Sequence, residues 1–374
     1  MIYLDNAATS YPKPPCVKDE VDRCFGEWGG NPGRSGHSMA IATSNAIYEA
    51  RCKVARFLGA KREEEILFVP SATHALNIAI RAVIRPGDHI LLGGMEHNAV
   101  YRPVWRLSED GVATYTVFPT RGNILENIEK RVRSETAMLI CSHVSNVTGE
   151  VFPIRKIGEW CRRRGIFFLV DASQSAGHLP IDLTTLPCDG LCAPSHKGLL
   201  GIQGAGILYF KNGEEYRDVV QGGSGSHSLS PKMPPYLPDR FEAGTLPTPA
   251  IVSMGAGVDY LTSVGVSAVE EQLTAYVNGL RGQIENMPAV KIHSPPGSSI
   301  FTFTVDGVPS EAVANALDGA DICARGGYHC APLAHRTLGT LTSGAVRLSP
   351  GPFSSPGEIP QVVDAIWSIT KNRQ

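Results

Sequence analysis

Several common signals are missing from this chain of 374 residues. No run of five basic residues occurs, and the densest cluster is "CRRRG" at residues 161–165. The formal net charge is −2. Nucleic acid or a membrane surface is therefore not expected as the main partner. No apolar stretch reaches the roughly 18 residues that a membrane span needs. The first residues, "MIYLDNAATS", carry neither a charged leader nor an apolar core, so they do not read as a signal peptide. Nine cysteines are scattered without a zinc-type CxxC pair. That irregular set reads as reduced thiols of a cytoplasmic protein, not as a disulfide framework, and no metal site is expected. Internal repeats and low-complexity tracts are absent too.

What is present is a large apolar inventory cut by turn formers. Hydrophobic residues make up 43% and charged ones 19%, enough for a sizeable core in two domains. The 39 glycines and 27 prolines cluster at joints between apolar runs. Strand-like runs are "EILFV" (65–69), "HILLGG" (89–94), "AMLICSHV" (137–144), "IFFLVDAS" (166–173), "DGLCAPS" (189–195) and "GAGILYF" (204–210). Several are apolar throughout, as strands buried on both faces of a parallel or mixed sheet are. Helical patterns sit between them, such as residues 39–59 with Gly59 as C-cap. This alternation predicts an α/β fold, an open doubly wound sheet. From about residue 255 the texture changes to a long helical pattern (256–286), short strands and two further helices. The expected division is a large domain at 16–255, a smaller α+β domain at 256–374, and an N-terminal segment at 1–15 that joins the smaller one.

In a doubly wound sheet, ligands bind outside the carboxyl ends of the strands. The polar residues placed there are the candidates. Ser71, Ala72 and Thr73 open a helix, whose free N–H groups suit a phosphate; an ordinary N-cap accounts for them equally. His97 and Asn146 each follow a strand, where a structural hydrogen bond is the plainer role. Asp171 ends a buried strand and needs a cationic or donor partner, either a salt bridge or a protonated ring nitrogen. Lys197, in "PSHKGLLGIQGAG", is either a solvated loop lysine or a dehydrated amine able to attack a carbonyl. No GxxxxGK[ST] precedes it, which excludes a P-loop. Together these groups describe one cofactor: an aldehyde for Lys197, a phosphate for the helix start and His196, a pyridinium for Asp171 and a flat ring for His97. That cofactor is pyridoxal 5'-phosphate.

The segments "YLDNAATSYPKP", "NPGRSGHS", "SATHALN", "MEHNA", "HVSNVTGEVFPI", "VDASQSAGHLPIDL", "SHKGLLGIQGAG", "RFEAGTLPTPAI", "RGGYHCAPLAH" and "VRLSPGPFSS" occur in series. In order and spacing the chain resembles the class V aminotransferases, and within them the cysteine desulfurase and selenocysteine lyase branch. Its compact cysteine loop is similar to the SufS-like group. The resemblance implies the type I fold of pyridoxal-phosphate enzymes, a large domain with a mostly parallel sheet plus a smaller α+β domain. It implies that Lys197 carries the cofactor as a Schiff base. Asp171 pairs with the pyridine nitrogen, while Gln174 and Asn146 reach the ring hydroxyl. His97 stacks on the ring and moves protons. Ala72, Thr73, Ser195 and His196 hold the phosphate. Gly244 and Thr245 reach the phosphate of a neighbouring subunit, hence a homodimer. Arg347 grips the substrate carboxylate by a two-pronged hydrogen bond. Arg325 and Asn146 line the same pocket.

Cys330 would accept sulfur from L-cysteine as a persulfide and leave L-alanine, since a thiolate attacks divalent sulfur readily. The alternatives are a selenocysteine lyase, acting on L-selenocysteine, and an aminotransferase or epimerase in which Cys330 is incidental. A sulfur-acceptor protein is the implied onward partner; iron–sulfur assembly, thiolated tRNA, a thiocofactor and selenium supply are all open. The chain departs from its relatives at Pro194, where a hydroxyl residue is frequent, so Ser195 is expected to take over phosphate contact. Serines also stand in "GPFSS" where relatives often carry Asn-Thr, with no expected functional effect.

Overall fold

The computed structural model describes residues 1–33 and 35–371. Arg34, within "NPGRSGHS", and Asn372, in the last expected helix, lie outside the described residues. The chain opens with β1 (Ile2–Tyr3), α1 (Pro15–Gly26) and α2 (Ser38–Leu58). Then follow β2 (Ile66–Val69), α3 (Ala72–Val83), β3 (His89–Gly93), α4 (Asn98–Glu109), β4 (Thr114–Phe118) and α5 (Ile124–Glu129). Next come β5 (Thr136–Ser142), α6 (Ile154–Arg164), β6 (Phe167–Asp171), β7 (Gly190–Pro194) and β8 (Gly206–Phe210). The remainder holds α7 (Thr248–Val264), α8 (Val266–Ile284), β9 (Val290–Ile292), β10 (Phe301–Val305) and α9 (Ser310–Asp318). It ends with β11 (Ile322–Cys323), α10 (Pro332–Leu338), β12 (Val346–Leu348) and α11 (Ile359–Lys371).

Seven strands form the central sheet in the order β2-β8-β7-β6-β5-β3-β4. All neighbours from β7 to β4 pair parallel, while β8 runs antiparallel to both β7 and β2. The apolar runs have a simple cause. In β2, Ile66 and Phe68 enter the core on one face of the sheet, and Leu67 and Val69 the core on the other. In β6, Phe168 and Val170 go to the first face and Phe167 and Leu169 to the second. Successive side chains point to opposite faces, so a strand covered on both sides must be apolar at every position. Each such side chain, fully buried, contributes on the order of 1.5–3 kcal/mol.

The helix at 38–58 is held at both ends. His37 Nδ1 accepts from Ala40 N at 3.2 Å, and Gly59 closes the helix in the left-handed region at φ 71°. The helical pattern expected over 256–286 proves to be two helices. The first starts earlier, at Thr248, and packs on α1 and α2. Gly265 then breaks the run, because its φ of 82° is not helical. Residue 255 therefore falls inside α7, and the chain turns at Gly265.

The C-terminal elements build their own core. Phe301, Phe303, Val346, Leu348, Val362 and Ile366 pack together there. The start of the chain joins them: Ile2 and Leu4 belong to this cluster, and β1 pairs parallel with β11. Asp5 continues the contact as a bridge to Ser349. The segment after it then crosses to the mouth of the large sheet, where Ser10 N donates to His196 O at 2.9 Å. Among the described residues no helix is long and apolar enough to cross a membrane.

Candidate active site

The carboxyl ends of β3, β5, β6 and β7 open onto one cleft of about 250 Å³. Ala72, Thr73, His97, Asn146, Asp171, Gln174, His196, Lys197, Arg325 and Arg347 all line it. Sequence reasoning had placed each of these at a ligand site. Ser195, Cys330, Gly244 and Thr245 do not line it.

Lys197 comes three residues after β7, and the glycine that follows it explains the sequence around it. A Cβ added at Gly198 would come within 2.2 Å of Ala176 O. Only glycine lets the two backbones meet there, and the close contact fixes the turn that carries the lysine. Burial lowers the Lys197 pKa to about 8; Arg347 and Arg325 add to the fall and Asp171 opposes it. The amine is thus dehydrated and neutral in a useful fraction near neutral pH.

Asp171 sits at the end of β6 with one oxygen accepting from Ser173 N at 2.9 Å. His97 caps α4: its Nδ1 accepts from Ala99 N at 3.0 Å. Burial lowers the His97 pKa to about 4, with Lys197 adding and Asp171 opposing. The ring is therefore neutral and suited to stacking, with Nε2 left as its proton-bearing nitrogen. On the far side, Ser71, Ala72 and Thr73 lie at the start of α3, where the first N–H groups have no intrahelical partner. His196 Nδ1 is buried without a hydrogen-bond partner.

Arg347 is fully buried on β12 and is already engaged. Its Nη2 donates to Asp5 Oδ1 at 2.7 Å and its Nη1 to Asn146 O at 2.9 Å, while Nε has no partner. Asp5 thus keeps charged a guanidinium whose pKa burial lowers. A carboxylate can still be gripped through Nε–H and the outer Nη hydrogens. Arg325 is tied to Arg347 by paired backbone bonds, Arg325 N to Arg347 O at 3.2 Å and Arg347 N to Arg325 O at 2.8 Å. Two guanidinium groups and one ammonium face the cleft against Asp171, with Asp5 behind Arg347, a field that favours anions.

One expectation needs correction. Ser195 is buried beneath the turn, and a Cβ at Gly201 would lie 2.2 Å from its Oγ. That hydroxyl is walled off from the cleft and cannot meet a phosphate there. The amide NH₂ groups of Asn146 and Gln174 each give one hydrogen elsewhere, to His329 O at 2.8 Å and to Ala7 O at 2.9 Å. Each side chain keeps its amide oxygen and a second N–H for a ring hydroxyl. Gly244 and Thr245 are exposed; the segment before them is anchored by a buried bidentate pair, Arg51 with Glu242 at 2.8 and 2.9 Å.

Cys330 lines an open depression beside the cleft, with Asn98, Tyr101, Arg102, Trp105, Tyr328 and Pro332. It is exposed, and both it and His329 have left-handed backbones, with φ 55° and 51°. Two consecutive non-glycine residues in this region cost energy. Hydrogen bonds to their carbonyls offset it: Asn98 N donates to Cys330 O at 2.7 Å, and Asn146 holds His329 O. His329, which lines the cleft, and Asp5 were not singled out in the sequence; their places inside "RGGYHC" and "YLDNAATS" were the only signals.

Glu96 is a further buried carboxyl next to His97. Ser142 donates its N–H and its hydroxyl to it, both at 2.8 Å. Burial raises its pKa from the ordinary 4.5 to about 8; the Ser142 N–H opposes this and Asp171 adds to it. Between those values the unfolded chain loses the proton and the folded chain keeps it, so stability falls as pH rises from about 4.5 to about 8. Glu96→Gln can still accept from Ser142 N–H through its amide oxygen, while its NH₂ donates to the Ser142 hydroxyl, and it has no proton to lose. The variant is expected to lose part of the fall in melting temperature between pH 5 and pH 8. An unchanged pH slope would show that Glu96 is ionised in the fold.

The residues fit pyridoxal phosphate on four counts: a buried amine, an acceptor for a ring N–H, the first N–H groups of α3, and the buried His196 Nδ1 without a hydrogen-bond partner. Known proteins agree. Residues 2–362 match the family described as Aminotransferase class-V. A probable cysteine desulfurase of Methanothermobacter thermautotrophicus is 31% identical over 379 residues, spanning 98% of this chain and 94% of that protein. A probable cysteine desulfurase of Halalkalibacterium halodurans is 32% identical over 346 residues, spanning 88% and 84%. Among solved structures, the apo cysteine desulfurase of Thermococcus onnurineus NA1 superposes with a TM-score of 0.91 at 27% identity, over 99% of this chain and 94% of that one. From residue 2 onward, sequence and architecture point the same way: the chain belongs to the class-V aminotransferase family, on its cysteine desulfurase branch.

Proposed function

We propose that the protein is a pyridoxal-phosphate-dependent cysteine desulfurase, turning L-cysteine into L-alanine and taking the sulfur onto Cys330. The observation that carries this reading is the dehydrated Lys197 amine in one cleft with Asp171 and two arginines. Pyridoxal phosphate, when bound, supplies the electron sink that makes the substrate Cα–H acidic and the Cβ–S bond breakable. The chain's own residues do the rest. The start of α3 and His196 hold the phosphate, and Asp171 accepts the ring N–H. Neutral His97 covers the ring. Arg347, with Arg325 beside it, fixes the substrate carboxylate. Lys197 takes the Cα proton and returns protons to the product carbons.

Cys330 thiolate attacks the substrate sulfur. A sulfur–sulfur bond forms as the carbon–sulfur bond breaks, and the electron pair released to Cβ takes a proton. Cysteine and one thiol become alanine and one persulfide, so atoms and electrons balance. The exposed position of Cys330 suits handover of that sulfur to an acceptor protein. Incubation with L-cysteine and a reductant should give alanine and sulfide in equal amounts. Pyruvate or racemised amino acid in place of sulfide would overturn the assignment. Release of alanine from selenocysteine alone would favour the lyase.

We further infer a homodimer in the cytoplasm. Gly244 and Thr245 lie outside the cleft, so they serve a phosphate only across a subunit contact, and exposed Phe25, Met39, Ile41 and Tyr48 on or beside α1 and α2 offer apolar area for one. Nine unpaired thiols support a reducing compartment.

A further inference from the structure

One peptide carbonyl beside the reacting lysine gathers an unusual set of donors. His196 O, in the peptide that leads into Lys197, accepts from Ser10 N at 2.9 Å, Ser10 Oγ at 3.1 Å and Thr9 Oγ1 at 3.1 Å. Lys13 Nζ donates to it as well, at 3.0 Å, and also reaches Ser10 Oγ at 2.6 Å. A carbonyl has two lone pairs, so four donors share it, and the one that carries charge binds most strongly. Lys13 is half-buried and makes no ion pair among the described residues. Burial lowers its pKa from 10.5 to about 8, so below that pH it is mostly the ammonium that donates to these two oxygens.

The same stretch touches the cleft twice more. Asp5 holds Arg347, and Ala7 O accepts from Gln174. The N-terminal segment is therefore a strap whose three fastenings all lie on residues that line the cleft.

We propose that Lys13 is a positioning residue for Lys197: its ammonium, with the Thr9 and Ser10 donors, clamps the His196 carbonyl and so fixes the peptide from which the Lys197 side chain springs. Gly198 pins the other side of that peptide against Ala176, so the lysine is set from both directions. Losing the clamp leaves substrate binding by Arg347 in place. It lets the amine drift from the atom it serves, and a drift of about 1 Å can cost on the order of 100-fold in rate.

This inference rests on Lys197 being the cofactor lysine. The experiment compares the unaltered protein, Lys13→Met and Lys13→Arg, each loaded with pyridoxal phosphate. The visible absorbance of the bound cofactor is titrated from about pH 6 to pH 10, across the working range of a lysine-held cofactor, and kcat and KM for L-cysteine are measured alongside. Lys13→Met is expected to shift the titration midpoint and to lower kcat by roughly tenfold or more with little change in KM; Lys13→Arg restores both. A wild-type midpoint and kcat in Lys13→Met overturn the proposal, even where the melting temperature falls. Equal loss in both variants with an unmoved midpoint overturns it too. The functional reading is judged separately, by alanine release from the unaltered protein. A shifted midpoint without that release unseats the desulfurase and leaves the clamp standing.

Discussion

Lys197→Ala is expected to abolish cysteine turnover, by at least about 10³-fold, and to remove the yellow colour of the loaded protein. Two losses combine. The cofactor aldehyde has no amine to hold it, and the Cα proton has no acceptor in the cleft. Asp171 already accepts from Ser173 N and would meet the ring nitrogen, and neutral His97 has its Nδ1 occupied by Ala99 N. Neither can substitute. The unaltered protein, stripped of cofactor, offers the companion measurement. Its capture of pyridoxal phosphate should quicken with rising pH and level off above about 8, the Lys197 value, where an ordinary lysine would go on gaining to about 10.5. The sign follows from the nucleophile being the neutral amine, whose share grows as the proton leaves. A profile still rising steeply at pH 10 would place the amine in water and sink the assignment.

The second large effect is expected at Cys330. Cys330→Ala should keep the colour and the fold yet form no persulfide, and alanine release from cysteine should fall to a trace. Fold retention has a specific cause. The backbone at 330 is left-handed at φ 55°, and alanine has the same Cβ as cysteine, so the strain is the same before and after. Both carbonyl clamps on the loop involve backbone atoms of 329 and 330 and survive the change. The variant thus removes one sulfur atom and little else. Full alanine and sulfide production by this variant would show that Cys330 is no acceptor. Sulfide-free turnover of selenocysteine by the same variant would show that the heavier atom needs no thiol.

Much of this site could be read before any coordinates, and the parts that could not have physical reasons. Asp171 was legible because it ends an unbroken apolar run, where a charge has to be paired or functional, and Lys197 because it stands just past another such run and fits the same ligand. The sheet was legible because both of its faces are covered, which forces apolar residues at every position. Gly265 was not legible as a break, since apolar periodicity continues through it and only its backbone angle interrupts the helix. The grip of Asp5 on Arg347 joins residues 342 apart in sequence. No local pattern records such a pair, because it depends on how the two halves of the chain pack. Ser195 misled for a related reason: a hydroxyl two residues before the lysine in sequence turns inward, away from the cleft. Cys330 was placed on a loop correctly in kind, but its setting beside the cleft rather than within it comes from two left-handed residues that composition does not reveal.

The pairing of Asp5 with Arg347 also bears on biogenesis. During synthesis, the carboxylate leaves the ribosome 342 residues ahead of the guanidinium it pairs with. Until then the nascent polypeptide can assemble the seven-stranded sheet, but its substrate anchor has not yet been made. A product stopped before β12 lacks Arg347, so it leaves Asp5 unpaired and has no substrate anchor.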